Sequence, residues 1–393
     1  MLQRILAVTA MNLRTLPARW GVVAVVVVCM TGVTGVMVSM LAMAEGFRQT
    51  YANSGRADRI VVLAAGETFE GSSSIARGQA AVLLATPGIR RLADGSPAAS
   101  FERYAVAGLP MRKDGTESNI VVRGVGAHTL QVRPEVRLLA GRMFEPGLRE
   151  LIVGRGARDQ FTGLEPGGTV VLSDVAWTVV GVFEAGGGAA ESEAWGDVEV
   201  VMSAFNLTSY SSMTAVLESE GVFQMSRDSI AGNPVLKHVA QRETDYYAGQ
   251  TGVLGTGMRA LGYLVAVIMG LGALFAAVNT MYASIESRSV EIGTLRALGF
   301  QGLPIVASIL LESVVLCLLG AAIGGAGAWL AFNGHVISTV NSASFTQIAF
   351  AFTVGPELLV QSAVLACVVG LLGGLPPALR AVRMPIVEAL RAL

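Results

Sequence analysis

Lysine and cysteine are scarce in this chain. Of its 393 residues, two are lysines, Lys113 and Lys237, and three are cysteines. Because Cys29, Cys317 and Cys367 all lie within apolar runs, none is placed to form a disulfide in a water-exposed domain. The net charge is −1 and the sequence has no basic patch, so we expect no nucleic acid partner.

Charged residues of both signs are also few. They make up 15% of the chain, against 52% hydrophobic residues, and the mean hydropathy is +0.58. This composition is too apolar for an ordinary soluble protein. It predicts a protein that crosses the lipid bilayer several times.

Motifs for nucleotide binding and catalysis are missing from the sequence. It contains no Gly-x-x-x-x-Gly-Lys-Ser/Thr, and the Gly-Arg-Gly at residues 154–156 lacks the third glycine of a dinucleotide fingerprint. His128, His238 and His335 are isolated, and no serine lies in a Gly-x-Ser-x-Gly elbow. We expect no catalytic site, no metal site and no cofactor bound by this chain.

Long apolar stretches with at most one charged residue each predict four transmembrane helices, at residues 20–44, 258–283, 303–333 and 357–379. A cleaved signal peptide is the alternative for the first, because Ala42-Met43-Ala44 before Glu45 resembles a signal-peptidase site. The first run is much longer than the apolar core of a signal peptide, which favours an uncleaved anchor.

The distribution of arginine predicts the topology. Segments 1–19, 284–302 and 380–393 carry arginine and are predicted to be cytoplasmic, whereas the short link 334–356 has neither Lys nor Arg and is predicted to lie outside. Residues 45–257, with short alternating apolar runs broken by Gly, Pro and charge, are then one extracytoplasmic domain. The fold class is four membrane helices with a large α+β, β-rich domain inserted between the first and second, and we expect that domain to fold without metal or disulfide.

Apolar alternation and turn residues give element predictions inside this domain. Strands are predicted at residues 59–63, 120–123, 150–153, 169–172, 177–183, 198–202 and 213–217. Helices are predicted at residues 74–85, ended by Pro87-Gly88, and in a run after Val235 that leads into the second membrane span.

Residues 284–300 are a short charged segment between two apolar runs. Ile285, Ile292, Leu295 and Leu298 recur at helical spacing, which predicts an amphipathic helix of about four turns at the membrane surface. A solvated loop helix is the alternative. The charged residues of the segment lie mostly off the apolar stripe and are Glu286, Arg288, Glu291 and Arg296.

Local signals mark a pair and a helix end in this segment. Arg288 and Glu291 are three residues apart and can pair, Gly299 is placed as a helix C-cap, and Pro304 suits the first turn of the next helix.

The third apolar run contains two features of interest. Glu312 is a carboxylate within it, which is either a pairing or gating group or one that snorkels or packs against backbone donors. Gly320-x-x-x-Gly324 fits close contact between helices, although such motifs are frequent by chance.

Two motifs together resemble the permease subunits of ABC transporters of the MacB/FtsX type, and the resemblance covers the whole chain. One is Glu-Ile-Gly-Thr-Leu-Arg-Ala-Leu-Gly at residues 291–299, preceded by Asn-Thr-Met at 279–281. The other is Leu-Pro-Pro-Ala-Leu-Arg-Ala at residues 375–381 with the stretch 385–391. Ser287 departs from the pattern, because many members have an acidic residue there. The resemblance also implies a porter-like outer domain with an inserted subdomain at about residues 111–205.

The resemblance implies a function. The chain is expected to be a permease subunit of an ATP-driven transporter that transmits ATPase motion across the membrane to the extracytoplasmic domain, for export or extraction of a substrate. The alternative is a non-transporting mechanotransmission scaffold that activates an extracytoplasmic hydrolase or signals a ligand.

The resemblance also implies partners and a place. Two copies of a separate ABC ATPase, with its ATP and Mg²⁺, a second permease chain and a membrane-fusion adaptor or other extracytoplasmic partner are expected, in a bacterial inner membrane with the large domain in the periplasm. Residues expected to contact the ATPase are Glu286, Arg288, Glu291, Ile292, Leu295 and Arg296, with Glu312 as an intramembrane polar residue.

Overall fold

The computed structural model describes residues 20–299, 301–341 and 345–385. Its helices are α1 (Trp20–Ala52), α2 (Ala80–Leu84), α3 (Thr129–Val132), α4 (Arg155–Gln160), α5 (Val198–Ala204), α6 (Phe223–Ala231), α7 (Glu243–Gln250), α8 (Gly252–Glu286), α9 (Ser289–Ala297), α10 (Gly302–Phe332) and α11 (Pro356–Arg383). Its strands are β1 (Arg59–Ala64), β2 (Ala99–Pro110), β3 (Glu117–Val125), β4 (Arg137–Gly141), β5 (Glu150–Gly154), β6 (Thr169–Leu172), β7 (Val175–Glu184), β8 (Glu193–Asp197), β9 (Ser212–Val216), β10 (His238–Arg242), β11 (Val336–Val340) and β12 (Gln347–Ala351).

The chain divides into two compact units. The membrane unit comprises Met1–Glu45, Gly257–His335 and Phe352–Leu393, and the domain unit comprises Gly46–Thr256 and Val336–Ala351. The predicted cytoplasmic segment 1–19 and residues 386–393 of the predicted tail lie outside the described residues.

Four helices among the described residues are long and apolar enough to cross a bilayer, namely α1, α8, α10 and α11. A helix satisfies all its backbone hydrogen bonds internally, which is what a stretch in lipid requires. Each helix covers one of the predicted spans, except that α10 ends one residue before the end of its span, at Phe332. Helices α1, α8 and α11 extend four to eight residues past their spans at one end, because helical hydrogen bonding continues beyond the apolar run.

Small residues allow close packing of helices within the membrane unit. A Cβ on Gly320 would lie 2.6 Å from Cβ of Met30, and one on Gly324 would lie 2.5 Å from the carbonyl oxygen of Thr31. Gly370 similarly approaches Val314 in α10. The close helix contact predicted for Gly320-x-x-x-Gly324 is confirmed, and its partner is α1.

One mixed sheet organises the domain unit. In the described part of the chain its ten strands run in the order β10-β1-β9-β2-β3-β8-β5-β7-β4, with β6 paired to β7. The pairs β3–β8 and β5–β7 are parallel, and the other pairs are antiparallel. Strand β2 pairs with β9 through residues 99–102 and with β3 through residues 103–110, so it joins the two halves of the sheet.

Each half of the sheet covers its own apolar core. The core of the β1 half includes Ile60, Val62 and Met213, and the core of the β5 half includes Val153 and Trp177, all fully buried. Because β2 is continuous between the halves, a separate subdomain at residues 111–205 stays a prediction.

Three element predictions in the domain are corrected. Residues 198–202 form helix α5 and not a strand, since the Asp197 carboxylate caps it by accepting hydrogen bonds from the backbone N–H groups of Glu199 (2.9 Å) and Val200 (3.1 Å). The predicted helix at 74–85 begins late, with a 3-10 turn at Arg77–Gln79 followed by α2. The run after Val235 first forms β10, which pairs with β1, and only then α7.

The segment 334–356, for which the sequence predicted only a short link, contains the hairpin β11–β12. Its strands pair from Val336↔Ala351 to Val340↔Gln347. The hairpin belongs to the domain unit, where Ile348 and Phe350 are buried. It is bound to the rest of that unit by the Asn119 amide, which donates to the carbonyl oxygen of Phe345 (3.0 Å), and by the Ala349 N–H, which donates to Ser192 Oγ (2.9 Å).

Candidate functional site

Residues 284–300 are not one helix of four turns. Helix α8 ends at Glu286, a turn follows at residues 287–288, and α9 covers nine residues, Ser289–Ala297. The turn is held by Arg288 N–H, which donates to the carbonyl oxygen of Ile285 (3.1 Å). The segment therefore changes direction at Arg288.

The C-terminal end of α9 agrees with the prediction. Leu298 is the cap residue, and Gly299 has a φ of +89°, the left-handed conformation that favours glycine after a helix. Pro304 lies in the first turn of α10. Phe300 lies outside the described residues.

Arg288 connects three elements of the membrane unit. Its Nε donates to Glu291 of α9 (3.1 Å), which confirms the predicted pair, and its Nη1 donates to Glu312 of α10 (3.3 Å). The Glu312 side chain is 3% exposed and that of Arg288 is 11% exposed, whereas Glu291 is 55% exposed. Since a buried carboxylate is costly without a partner, Arg288 explains how Glu312 is tolerated within an apolar helix.

The apolar stripe of the segment faces other helices of the same chain. Ile285 is buried in a cluster with Ile305, Ile309, Ala378 and Ala381 of α10 and α11, and Ile292 packs against that cluster. Leu295 lines the same small hollow as Arg288 and is half-buried. We expected a partner surface or the lipid headgroup region to cover this stripe, but periodicity shows only that a helix face is apolar and does not identify what covers it.

The remaining predicted residues lie at the edge of this region. Glu286 is exposed, and Arg296 donates from Nη1 to the carbonyl oxygen of Met384, beyond the end of α11. Two leucines flank the Gly299 turn with large exposed fractions, Leu298 at 73% and Leu303 at 64%. Leu303 was missed by sequence reasoning, because it lies outside the segment that was singled out.

The domain unit contains a second polar site that the sequence did not reveal. We call it the buried charge cluster; it consists of Arg59, Arg123, Arg133, Glu70, Glu102, Glu193 and Glu243, all buried. Arg123 donates to three carboxylates, with distances of 2.9 Å to Glu70, 2.8 Å to Glu102 and 2.7 Å to Glu193. The members come from seven distant positions in the chain, so no local motif announced the site.

The electrostatics of the cluster favour the ionised forms of Glu70 and Arg123, whereas burial raises the pKa of Glu243 in spite of the charges of Arg133 and Arg59. Burial would raise the pKa of Glu70, but the charge of Arg123 and the hydrogen bonds from Arg123 and Ser212 hold it below its usual range. Burial would likewise lower the pKa of Arg123, and the neighbouring glutamates raise it well above its usual value. Arg133 extends the cluster by donating to Glu243 (2.9 Å).

Within the described residues, no group of three or more His, Cys, Asp and Glu side chains is arranged to hold a metal ion. His238 is buried, and its Nε2 lies 3.4 Å from the carbonyl oxygen of Ser74.

Two protein families match the chain. Residues 22–232 match the MacB-like periplasmic core domain, and residues 263–386 match the FtsX-like permease C-terminal family. The chain belongs to the MacB/FtsX permease family. The family and the four apolar helices of the described residues make it a membrane protein with an extracytoplasmic domain, as predicted.

Curated relatives carry the same family name. The macrolide export ATP-binding/permease protein MacB of Rhodopseudomonas palustris is 28% identical over 269 residues, which is 62% of this chain and 40% of that protein. The protein of the same name from Neisseria gonorrhoeae is 22% identical over 322 residues, 74% of this chain and 47% of that protein. The chain thus spans less than half the length of these relatives.

Two solved extracytoplasmic regions are similar to part of the chain. The periplasmic region of MacB from Actinobacillus actinomycetemcomitans covers 51% of this chain and 95% of that structure, with 12% identity and a TM-score of 0.37. The extracellular domain of YknZ, a noncanonic ABC-type transporter from Gram-positive bacteria, covers 47% and 98%, with 16% identity and a TM-score of 0.36.

Proposed function

We propose that this chain is the permease subunit of an ABC transporter of the bacterial inner membrane, and that it carries motion of a partner ATPase to its extracytoplasmic domain. Two ATPase copies and a second permease chain complete the assembly in this proposal, with an adaptor on the outer side as a further partner. ATP and Mg²⁺ are bound by the ATPase. The names of the curated relatives, macrolide export ATP-binding/permease protein, support a role in export.

The observation that carries this proposal is the bridge formed by Arg288. It ties α9 to α10 through Glu312, while Ile285 and Ile292 fasten the same region to α10 and α11. A nine-residue helix held in this way moves together with the membrane helices and not independently of them. A push on α9 is therefore transmitted to α10 and α11.

The contact with the ATPase is assigned to the surface that α9 leaves exposed. Leu298 and Leu303 are 73% and 64% exposed, and Glu286 and Glu291 lie at the same end of the membrane unit. Covering a leucine side chain fully contributes about 1.5 to 3 kcal/mol, against about 0.2 to 1 kcal/mol for an exposed ion pair. Leu298 should therefore matter more to docking than any single charge.

The test compares two equally exposed leucines. We expect Leu298→Ala to weaken copurification of the tagged chain with its partner ABC ATPase by roughly tenfold, and Leu298→Asp to abolish it. Leu330→Ala is the matched control, because Leu330 is also 73% exposed but lies near the far end of α10. Undiminished copurification and ATP turnover with Leu298→Asp would mean that the coupling contact lies elsewhere.

Ile292→Asp is a poorer test of this contact than Leu298→Asp. Because Ile292 packs against α10 and α11, a carboxylate there disturbs the permease's own packing. Loss of ATPase binding in that variant would have two explanations.

A further inference from the structure

The domain unit contains a small, partly open cavity that is bordered by charged, polar and apolar side chains. We call it the Glu70 cavity; residues that border it include Glu70, Tyr104, Arg123, Glu193, Tyr246 and Gln347. Its volume is about 40 Å³, room for a bare ion with a water molecule and for little else.

The charges at this cavity do not balance. Two carboxylates, Glu70 and Glu193, and one guanidinium, Arg123, border it. Glu102, the third carboxylate paired with Arg123, is shared with Arg133 and does not offset this excess. A buried negative charge without compensation is strongly unfavourable.

The tyrosines of the cavity do not add to this charge. Burial raises the pKa of Tyr246 and of Tyr247, so both hydroxyls stay protonated at physiological pH. Tyr246 donates to Glu70 Oε2 (3.3 Å), which leaves its hydroxyl oxygen able to accept.

Gln347 supplies an independent observation. Its side chain is 8% exposed and borders the cavity. Nε2 donates to Ser118 Oγ (2.9 Å), and the buried Oε1 has no hydrogen-bond partner among the residues that the structure describes. A buried acceptor of this kind normally has a partner. A cation in the cavity would satisfy this acceptor and the two carboxylates together.

The two carboxylates are close enough to act together. Glu70 Oε2 and Glu193 Oε1 both accept hydrogen bonds from the same atom, Arg123 Nη2, at 3.0 and 2.8 Å. Among the described residues at the cavity the available ligands are oxygens, with no His or Cys, and the excess of Glu70 and Glu193 over Arg123 is one negative charge. Hard oxygen ligands and a single excess charge match an alkali cation better than a transition metal or a divalent ion.

We propose that the Glu70 cavity binds one alkali cation through Glu70, Glu193 and the amide oxygen of Gln347. Glu193 and Gln347 belong to β8 and β12, so the ion joins the hairpin β11–β12 to the main sheet of the domain unit. The hairpin connects α10 and α11 in the chain, and binding strengthens its attachment to the domain. This replaces the expectation that the chain binds no metal.

The experiment measures the melting temperature (Tm) of the full chain in detergent at constant ionic strength. Sodium or potassium chloride is compared with choline chloride, because choline is too large for the cavity. We expect a saturable rise in Tm of about 3 °C with the alkali ion. Gln347→Leu should abolish the rise, and Gln160→Leu should keep it, because Gln160 also has a buried Oε1 without a partner but does not border this cavity.

A second variant keeps the test decisive if Gln347→Leu fails to fold. Gln347→Lys places an ammonium group in the cavity, so it should fold in choline chloride and no longer respond to the alkali ion. Equal Tm in all three salts, or the same rise in Gln347→Lys as in the unmodified chain, would overturn the proposal. So would a rise in Tm with Mg²⁺ or Ca²⁺ without a rise with Na⁺ or K⁺.

Discussion

Single residues show how differently charge is accommodated in the two units. Glu312 stood out in the sequence because a carboxylate in an apolar run is costly, but its partner Arg288 is 24 positions earlier and was assigned to a different role. Arg123 gave no signal at all. Its importance follows from three carboxylates that the sheet brings to one guanidinium, at distances of 2.7 to 2.9 Å.

Arg123 is expected to be among the residues most important for the stability of the domain. Arg123→Met leaves Glu70, Glu102 and Glu193 buried without their shared cation, which costs about 3 to 5 kcal/mol and lowers Tm by roughly 10 °C. The measurement is thermal unfolding of the full chain in detergent. Arg142→Met is the control, since Arg142 also pairs with a glutamate, Glu150 (2.7 Å), but is exposed and should barely change Tm. Equal effects of the two substitutions would contradict this account.

Helices and strands formed as predicted where the apolar pattern of a segment agreed with its packing in the folded chain. The apolar runs became helices, and the strands at 59–63 and 169–172 appeared as β1 and β6. The alternating run 198–202 became α5 because a capping aspartate immediately before it outweighed the strand pattern. Close helix contacts in the membrane unit depend on which glycines face a neighbouring helix. The spacing of glycines along the sequence does not show which of them do so.

Two glycines of α10 should respond with opposite signs to the same substitution. Alanine is favoured over glycine within a helix by about 0.5 to 1 kcal/mol, so Gly327→Ala, with nothing within 4 Å of the added Cβ, should leave Tm unchanged or raise it. Gly324→Ala should lower Tm, because its Cβ would lie 2.5 Å from the backbone oxygen of Thr31 and overpacking costs about 1 to 3 kcal/mol. A rise in Tm for both variants would show that α1 and α10 are not in close contact.

The whole molecule is assembled from segments that are far apart in the chain. The domain unit takes Gly46–Thr256 together with Val336–Ala351, and the membrane unit takes the three segments around them. The sequence predicted only a short link for the hairpin β11–β12. A stretch of sixteen residues has too short an apolar pattern to show that it packs with a domain whose first residue, Gly46, lies almost 300 positions earlier.

The predicted topology can be tested with two introduced cysteines. Lys113→Cys, in an exposed turn of the domain unit, should react with a membrane-impermeant maleimide in whole cells whose outer membrane has been permeabilised. The nearby Gly115 is less suitable for a cysteine, because its φ of +72° would strain any other residue. Gln301→Cys, just before α10, should react only after lysis, and the unmodified chain gives the background from its membrane-helix cysteines. The reverse pattern of labelling would invert the topology.

The features that the sequence alone predicted correctly are those determined by local interactions. The membrane spans, the Arg288–Glu291 pair and the Gly299 helix end each depend on residues within one helix or one turn. The interactions that determine them therefore lie within a short stretch of sequence. The inward face of Ile292, the glutamates around Arg123 and the place of the hairpin each need a partner from a distant segment. A periodic pattern shows that a surface must be covered, and packing of the folded chain chooses what covers it.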